Sequence, residues 1–232
     1  YLSAEELEMI QKAYIYSATV HQGQVRLSGE PYLTHPMEVA GILVDMKMDS
    51  ATIISGLLHD TIEDTLTTKE QIEQEFGKDV AFLVSGLTKL SRISFGSQEE
   101  RQAENFRKMI LAMSADIRIL IVRLADRIHN MRTLQYQTQE RRIYIARETM
   151  DVYAPLANRL GINWMKMELE DLAFQYLSPD AYREISTRVA KSNESRNRYT
   201  QEVKTLIFKE LEKVGMQGEV EGRAKHLYGI YK

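Results

Sequence analysis

The feature that most constrains this chain is a rhythm. Apolar residues recur at three- and four-residue spacing along almost its whole length, and no alternating strand run of convincing length appears before Gly218. Only four prolines and 12 glycines punctuate a sequence rich in Leu, Ile, Met, Glu, Gln and Lys, residues that lose little on entering a helix. An all-α fold is therefore expected. At 232 residues with 44% hydrophobic content, the chain can bury a substantial core.

Local signals divide the helices. "SAEE" at Ser3–Glu6 has the form of a capping box and opens a helix running toward His21. "HQGQVRLSGEPYLTHP" is the most loop-like stretch of the first half. Pro36 disfavours helical backbone at His35 and suits a first helical position, so His35 is expected at a helix mouth. "TKEQIEQEF" ends at Gly77 and "DVAFLVSGLTKL" follows. "SRISFGSQEERQ" reads as a mobile polar connection, after which "AENFRKMILAMS" and "DIRILIVRLADRIHNMRTL" resume the helical period. "SPDAYREIS…" opens a long charged segment on a helix-entry signal. A soft boundary near Ser178 thus separates residues 1–177 from a linker-like 178–232.

One stretch does not fit an ordinary amphipathic helix. "LLHDTIEDT" places His59, Asp60, Glu63 and Asp64 directly after the core-like "ATIISG". On one continuous helix the four would share an arc of about 140°. A second polar stripe, Arg123, Asp126, Asn130 and Thr133, lies in "VRLADRIHNMRT" and would ordinarily be a solvated face. Together, His35, His59, Asp60 and Asp126 offer two imidazoles and two carboxylates. That donor set suits Mn²⁺, Fe²⁺ or Zn²⁺ and leaves two positions of an octahedron for water and a phosphoryl oxygen. Glu63 and Asp64, one turn beyond, are placed to take or relay a proton. The chain has no cysteine, which excludes disulfides and a thiolate site.

Other residues have plainer readings. His21 is expected to be structural or at the surface, and His129, off the stripe, to pack or cap. Tyr32 can line a pocket or fill the core. Met46, Met48, Met109 and Met113 read as core filler, and the acids at Glu168–Asp171 as a solvated face. A net charge of −3 gives no global basic field for nucleic acid. No apolar run approaches the roughly 20 residues of a membrane span, and no signal peptide is visible, so a cytoplasmic location is the default. The opening at Tyr1 and the end within "HLYGIYK" read as those of an excised fragment.

The order His35, His59–Asp60, Asp126 is similar to the signature of HD-superfamily metal-dependent phosphohydrolases. The words "RLSGEPYLTHP", "GLLHDTIEDT", "LADRIHNMRTL" and "YAPLANRLGI" narrow the resemblance to the hydrolase domain of the RelA/SpoT (Rel) family of alarmone enzymes. That resemblance covers nearly the whole chain. It implies an all-helical hydrolase removing the 3′-pyrophosphate from ppGpp and pppGpp in the stringent response, with one Mn²⁺ on His35, His59, Asp60 and Asp126. Glu63 and Asp64 match the family's catalytic acid pair. Arg26 and Ser28 match its nucleotide-pocket loop, with Arg26 against the guanine face, and Asn130 and Thr133 its pocket helix. Two positions depart from the family pattern: Leu27 stands where some members carry a second basic residue, and Arg123 where lysine is common. "EGRAKHLYGIYK" resembles the opening of an α/β synthetase domain, making Arg223, Lys225 and His226 the remnant of a second nucleotide site. Synthesis is not expected from this fragment, and its tail is expected to be poorly ordered. The implied partners are the alarmone and the missing synthetase and regulatory domains, with no membrane or direct nucleic-acid contact. Two alternatives stay open: an HD hydrolase of another nucleotide, such as NADPH or a dNTP, and a catalytically silent alarmone-binding regulatory fragment.

Overall fold

A computed structural model describes residues 1–91, 116–216, 218–220, 222 and 225–232. The "SRISFGSQEERQ" connection beyond its first residue, Ser91, the "AENFRKMILAMS" helix and Arg223 lie outside the described residues. Among those described there is no strand, only an isolated antiparallel bridge between Val25 and Pro31. The all-α expectation is met.

The helices are α1 (Ala4–Val20), α2 (Thr34–Asp45), α3 (Ser50–Leu58), α4 (Thr61–Asp64), α5 (Lys69–Ser91), α6 (Ile117–Arg132), α7 (Gln139–Glu148), α8 (Ala154–Arg159), α9 (Asn163–Leu177), α10 (Pro179–Lys213) and α11 (Leu227–Tyr231). The capping box forms as read, with Ser3 and Glu6 exchanging side-chain to backbone bonds. Helix α5 breaks at Gly77, where φ is 87°.

Helix α3 is the hub. Every residue from Thr52 to Leu58 is buried, because α1, α2, α5 and α6 all pack against it. A helix apolar all round belongs in such a centre. Gly56 sets the approach to α2: a Cβ there would lie 2.6 Å from Leu43 Cδ1, so any side chain would force the two helices apart. Asp49 starts α3, accepting from the Thr52 N–H and hydroxyl. Helix α6 lies against α2, α5 and α9, burying Leu124, Ala125 and Ile128.

Beyond α6 the stretch "ERRIYIARETMDVYAPLANRLG" is not one regular α-helix. α7 and α8 are joined by a π-helical turn, Thr149–Tyr153. Pro155 explains it, since the ring has no N–H and clashes with the carbonyl four residues back, so the helix widens instead. The turn sets the Tyr153 ring under Arg127, whose guanidinium carbon is 3.8 Å from the ring centroid.

Two expectations about the C-terminal part are corrected. The acids of α9 are not a solvated face: Glu170 is 8% exposed, and its Oε2 lies 2.8 Å from His226 Nε2. Asp171 accepts from the backbone N–H groups of Leu227 and Tyr228, and Tyr228 and Tyr231 pack on Phe174. The tail from His226 to Tyr231 is therefore docked, because α11's unpaired N-terminal amides found a carboxylate. The "SP" signal holds, with Ser178 flanking and Pro179 opening the 35-residue α10.

Candidate metal centre

The "LLHDTIEDT" stretch is two helical pieces rather than one. Helix α3 ends at Leu58, His59 closes it, and Asp60 (φ −98°, ψ −6°) starts α4. The Asp60 carbonyl accepts from Glu63 and Asp64, and the Thr61 hydroxyl donates to the Leu58 carbonyl. The polar stretch leaves the core at this corner, with His59 kept inside. His35 sits at the mouth of its helix as expected, but Pro36 is not the first helical residue. Helix α2 starts at Thr34, so His35 is already helical and Pro36 is the third residue. Proline costs nothing in a first turn, where its missing N–H would have no helical partner.

Four side chains converge. His35 Nε2 lies 3.1 Å from His59 Nε2 and 3.2 Å from Asp126 Oδ1. Asp60 Oδ2 lies 3.1 Å from His59 Nε2 and 3.7 Å from His35 Nε2. The ligand atoms of His35, His59 and Asp126 all fall within 4.8 Å of one another, and the three residues are 3%, 1% and 9% exposed. Two ligands held at right angles about 2.0–2.2 Å from one ion stand roughly 3 Å apart. The set fits a single cation.

The electrostatics point the same way. His59 Nδ1 lies 2.8 Å from the Gly56 carbonyl, an acceptor only, so this nitrogen carries a proton. Burial alone would push His59 down, yet the Asp60 and Asp126 carboxylates carry it up to about 9. Burial would raise those two acids, but the imidazoles beside them, and Arg123 beside Asp126, hold both far below the usual carboxylate range. The pair of buried carboxylates therefore draws a positive charge onto His59, while burial lowers His35, and a divalent ion meets the same demand more fully. Asp126 is braced from its own helix by Asn130 Nδ2 at 2.5 Å and Arg123 Nη1 at 3.2 Å. The α6 stripe thus turns inward, with Asp126 buried and Arg123, Asn130 and Thr133 half-buried.

A cavity of about 530 Å³ adjoins the cluster. Arg26, Ser28, Asn130 and Thr133 all line it, together with Tyr32, Arg127 and Arg141. A tight turn delivers Arg26, with Gly29 in the left-handed region (φ 85°) and its N–H bonded to the Arg26 carbonyl. Leu27 lines the same cavity and is 70% exposed. The edge of the Arg26 guanidinium faces inward: Nη2 donates to Asn130 Oδ1 at 3.1 Å and Nη1 lies 3.0 Å from His129 Nδ1. Tyr32 joins cavity to cluster. Its hydroxyl donates to Asp60 Oδ2 at 2.5 Å and stands 2.8 Å from Asp64 Oδ2. Burial, then the Asp60 charge, push this phenol far above its ordinary value, so it stays a donor. Glu63 lies 3.6 Å from Arg123 Nη2, and both acids of the pair line a second cavity of about 610 Å³.

Lys225 and His226 are not part of this site; His226 belongs to the α9 contact described above. Reading by residue type missed two participants, His129 and Arg127, and left Tyr32 between pocket and core. His129 packs on His35 and is 6% exposed. It stands three residues after Asp126, a spacing that puts both on one face. Tyr32 stacks on the buried His21, centroids 4.5 Å apart. Arg127 is held by Glu148 at 2.7 Å.

Residues 13–163 match the family model described as HD domain. The chain belongs to the HD-domain family. This HD domain is 56% identical over 230 residues to a "GTP pyrophosphokinase" of Myxococcus xanthus, covering 98% of the chain and 30% of the relative. It is 48% identical over 231 residues to the "Bifunctional (p)ppGpp synthase/hydrolase SpoT" of Escherichia coli (strain K12), covering 100% of the chain and 33% of the relative. The chain thus spans about a third of the length of the curated relatives it matches. A solved structure described as "A metazoan ortholog of SpoT hydrolyzes ppGpp and plays a role in starvation responses" superposes with a TM-score of 0.51 at 27% identity, covering 77% of this chain and 98% of that one. No helix among the described residues is long and apolar enough to cross a membrane.

Proposed function

We propose that this HD domain hydrolyses the 3′-pyrophosphate of (p)ppGpp, releasing GDP or GTP and pyrophosphate, with Mn²⁺ held by His35, His59, Asp60 and Asp126. The observation that carries the reading is the join at Tyr32. A cavity lined by three arginines and one acid, Arg26, Arg127, Arg141 and Glu148, opens onto a buried His–His–Asp cluster through one hydroxyl. Such a cavity favours an anionic, planar ligand. The names of the relatives supply the nucleotide.

When bound, the ion polarises a phosphoryl oxygen and makes water acidic enough to attack at neutral pH. The chain's residues do the rest. Arg26 spends its edge on Asn130 and His129, leaving its flat faces for the guanine, while Ser28, Asn130 and Thr133 fix the nucleoside. Glu63 and Asp64 manage protons, one taking a proton from the attacking water and one returning a proton to the departing 3′-oxygen. The water oxygen ends on pyrophosphate as the P–O3′ bond breaks. Tyr32 orients Asp64 against Asp60. We place residues 1–177 as the hydrolase and 178–232 as the lead into a synthetase domain. The remaining length of the relatives is the source of synthetase and regulatory partners, and the setting is the cytoplasmic stringent response.

The test is product analysis on the purified protein with Mn²⁺. Equimolar GDP and pyrophosphate from ppGpp, abolished by EDTA and restored by Mn²⁺, is the expected result. Undiminished turnover in EDTA would overturn the metal's role. Cleavage of dNTPs or NADPH but not ppGpp would overturn the substrate, and nucleotide binding without release would overturn hydrolysis in favour of a regulatory pocket.

A further inference from the structure

His59 and His35 both aim Nε2 at the cluster, and each must keep that nitrogen free of its proton to serve as a ligand. For His59 the Gly56 carbonyl settles the matter. Among the described residues no backbone carbonyl accepts from His35 Nδ1. That nitrogen instead lies 2.7 Å from Nδ1 of His129, a buried ring 94 residues further along the chain. Either ring could carry the shared proton. The second neighbour of His129 decides between them. Arg26 Nη1 stands 3.0 Å from the same His129 Nδ1, and a guanidinium has donors only. A proton on His129 Nδ1 would set N–H against N–H at the Arg26 contact. With the proton on His35 Nδ1, both contacts are hydrogen bonds, converging on the lone pair of His129.

We propose that His129, held as a pure acceptor by Arg26, fixes His35 in its Nδ1–H tautomer and so keeps Nε2 ready to bind the metal. His129 is thus a positioning residue, acting through His35. The arrangement also gives Arg26 a second task. Through Asn130, which donates to Asp126 Oδ1, the same guanidinium braces a ligand on a second helix. One residue of the cavity wall therefore supports both His35 of α2 and Asp126 of α6. An outer partner of this kind is worth about 10–100-fold in metal affinity.

The proposal rests on the metal reading of His35, and the experiment separates the two. In ¹⁵N-labelled wild-type protein, long-range ¹H–¹⁵N spectra of the imidazoles, metal-free and loaded with diamagnetic Zn²⁺, should show His35 protonated at Nδ1 and His129 bare there. A proton on His129 Nδ1 in the wild type would overturn the proposal whatever any variant does. In parallel, Mn²⁺ titration should show His129→Phe weaker than wild type by about 10–100-fold, with His129→Asn, whose Oδ1 replaces the lost acceptor, recovering most of it. Arg26→Ala should also weaken Mn²⁺ without touching it. Wild-type affinity in His129→Phe would overturn the proposal. Absence of Mn²⁺ and Zn²⁺ binding in the wild type would instead bring down the metal reading, and with it the purpose assigned to the His129 contact.

Discussion

The α3–α4 corner and the α2–α6 side supply the same kinds of donor atom by different means. At the corner, His59, Asp60, Glu63 and Asp64 come from six consecutive residues, and short-range bonds hold them: Gly56 to His59, Leu58 to Thr61, Asp60 to Glu63 and Asp64. Across the site, His35, Asp126, His129, Asn130 and Arg26 come from segments about a hundred residues apart, and no local bond could bring them together. The difference teaches that this site is half folded by its own sequence neighbourhood and half assembled by packing. Removing one of the local acids beyond the ligands, Glu63 or Asp64, should cost chemistry at a centre that still forms. Removing one from the assembled half should cost the centre itself.

That contrast is open to test. The largest effect is expected from Asp126→Asn, which keeps the volume and removes the charge facing His35. Mn²⁺ affinity and turnover should both fall on the order of 1,000-fold, more than the roughly 10–100-fold expected when an outer partner is lost. A variant that still titrates with Mn²⁺ as wild type does would show that the assembled half is dispensable. Asp64→Asn, in the local half, should lower turnover by about 100- to 10,000-fold while Mn²⁺ affinity and the denaturation midpoint stay put. Full activity there would remove the acid pair from the mechanism, and loss of Mn²⁺ would mean the two halves are not separable.

Two smaller effects probe the scaffold that carries the corner. Gly56→Ala should cost about 1–3 kcal/mol by overpacking, since Leu43, met at 2.6 Å, is fully buried and has nowhere to move. A denaturant melt unchanged by the substitution would mean the α2–α3 crossing is loose. Asp49→Ala, removing the cap of α3, should cost about 1 kcal/mol at neutral pH. Burial works to raise the Asp49 pKa, but the Thr52 bonds and Arg118 outweigh it and hold it below its ordinary 3.8. Its stabilisation is therefore complete above that value and lost as pH falls through the lower folded value. The gap between wild type and Asp49→Ala should begin to narrow below about pH 4 and close once the pH has fallen through the lower folded value, and a gap that did not narrow with acid would point to a cause other than the carboxylate.

Helices were legible wherever a period of 3.6 met a cap or a breaker, as at Ser3–Glu6, Gly77 and Ser178–Pro179. They were less so where a single residue changed the helix type. Just before Pro155 the chain stays coiled but widens into the π turn Thr149–Tyr153. Of the site, the ionisable residues of "LLHDTIEDT" stood out by their position after a core run. His129 did not, because a histidine on a helix reads as filler until its distant partners are known. Glu170 and Asp171 were misread for the same reason: an acid looks solvated until a docked segment, here His226 to Tyr228, arrives to cover it.

The sequence by itself determined the helical class, the caps and breaks, and the chemical types gathered at His59 to Asp64, all of which follow from interactions within a few residues. Tertiary structure decided which imidazole nitrogen faces the centre, which stripe of α6 turns inward, and that Arg26 reaches from the cavity wall to His129 and Asn130. Those depend on groups about a hundred residues apart meeting within 3 Å, a coincidence that packing around α3 creates and that no local pattern records.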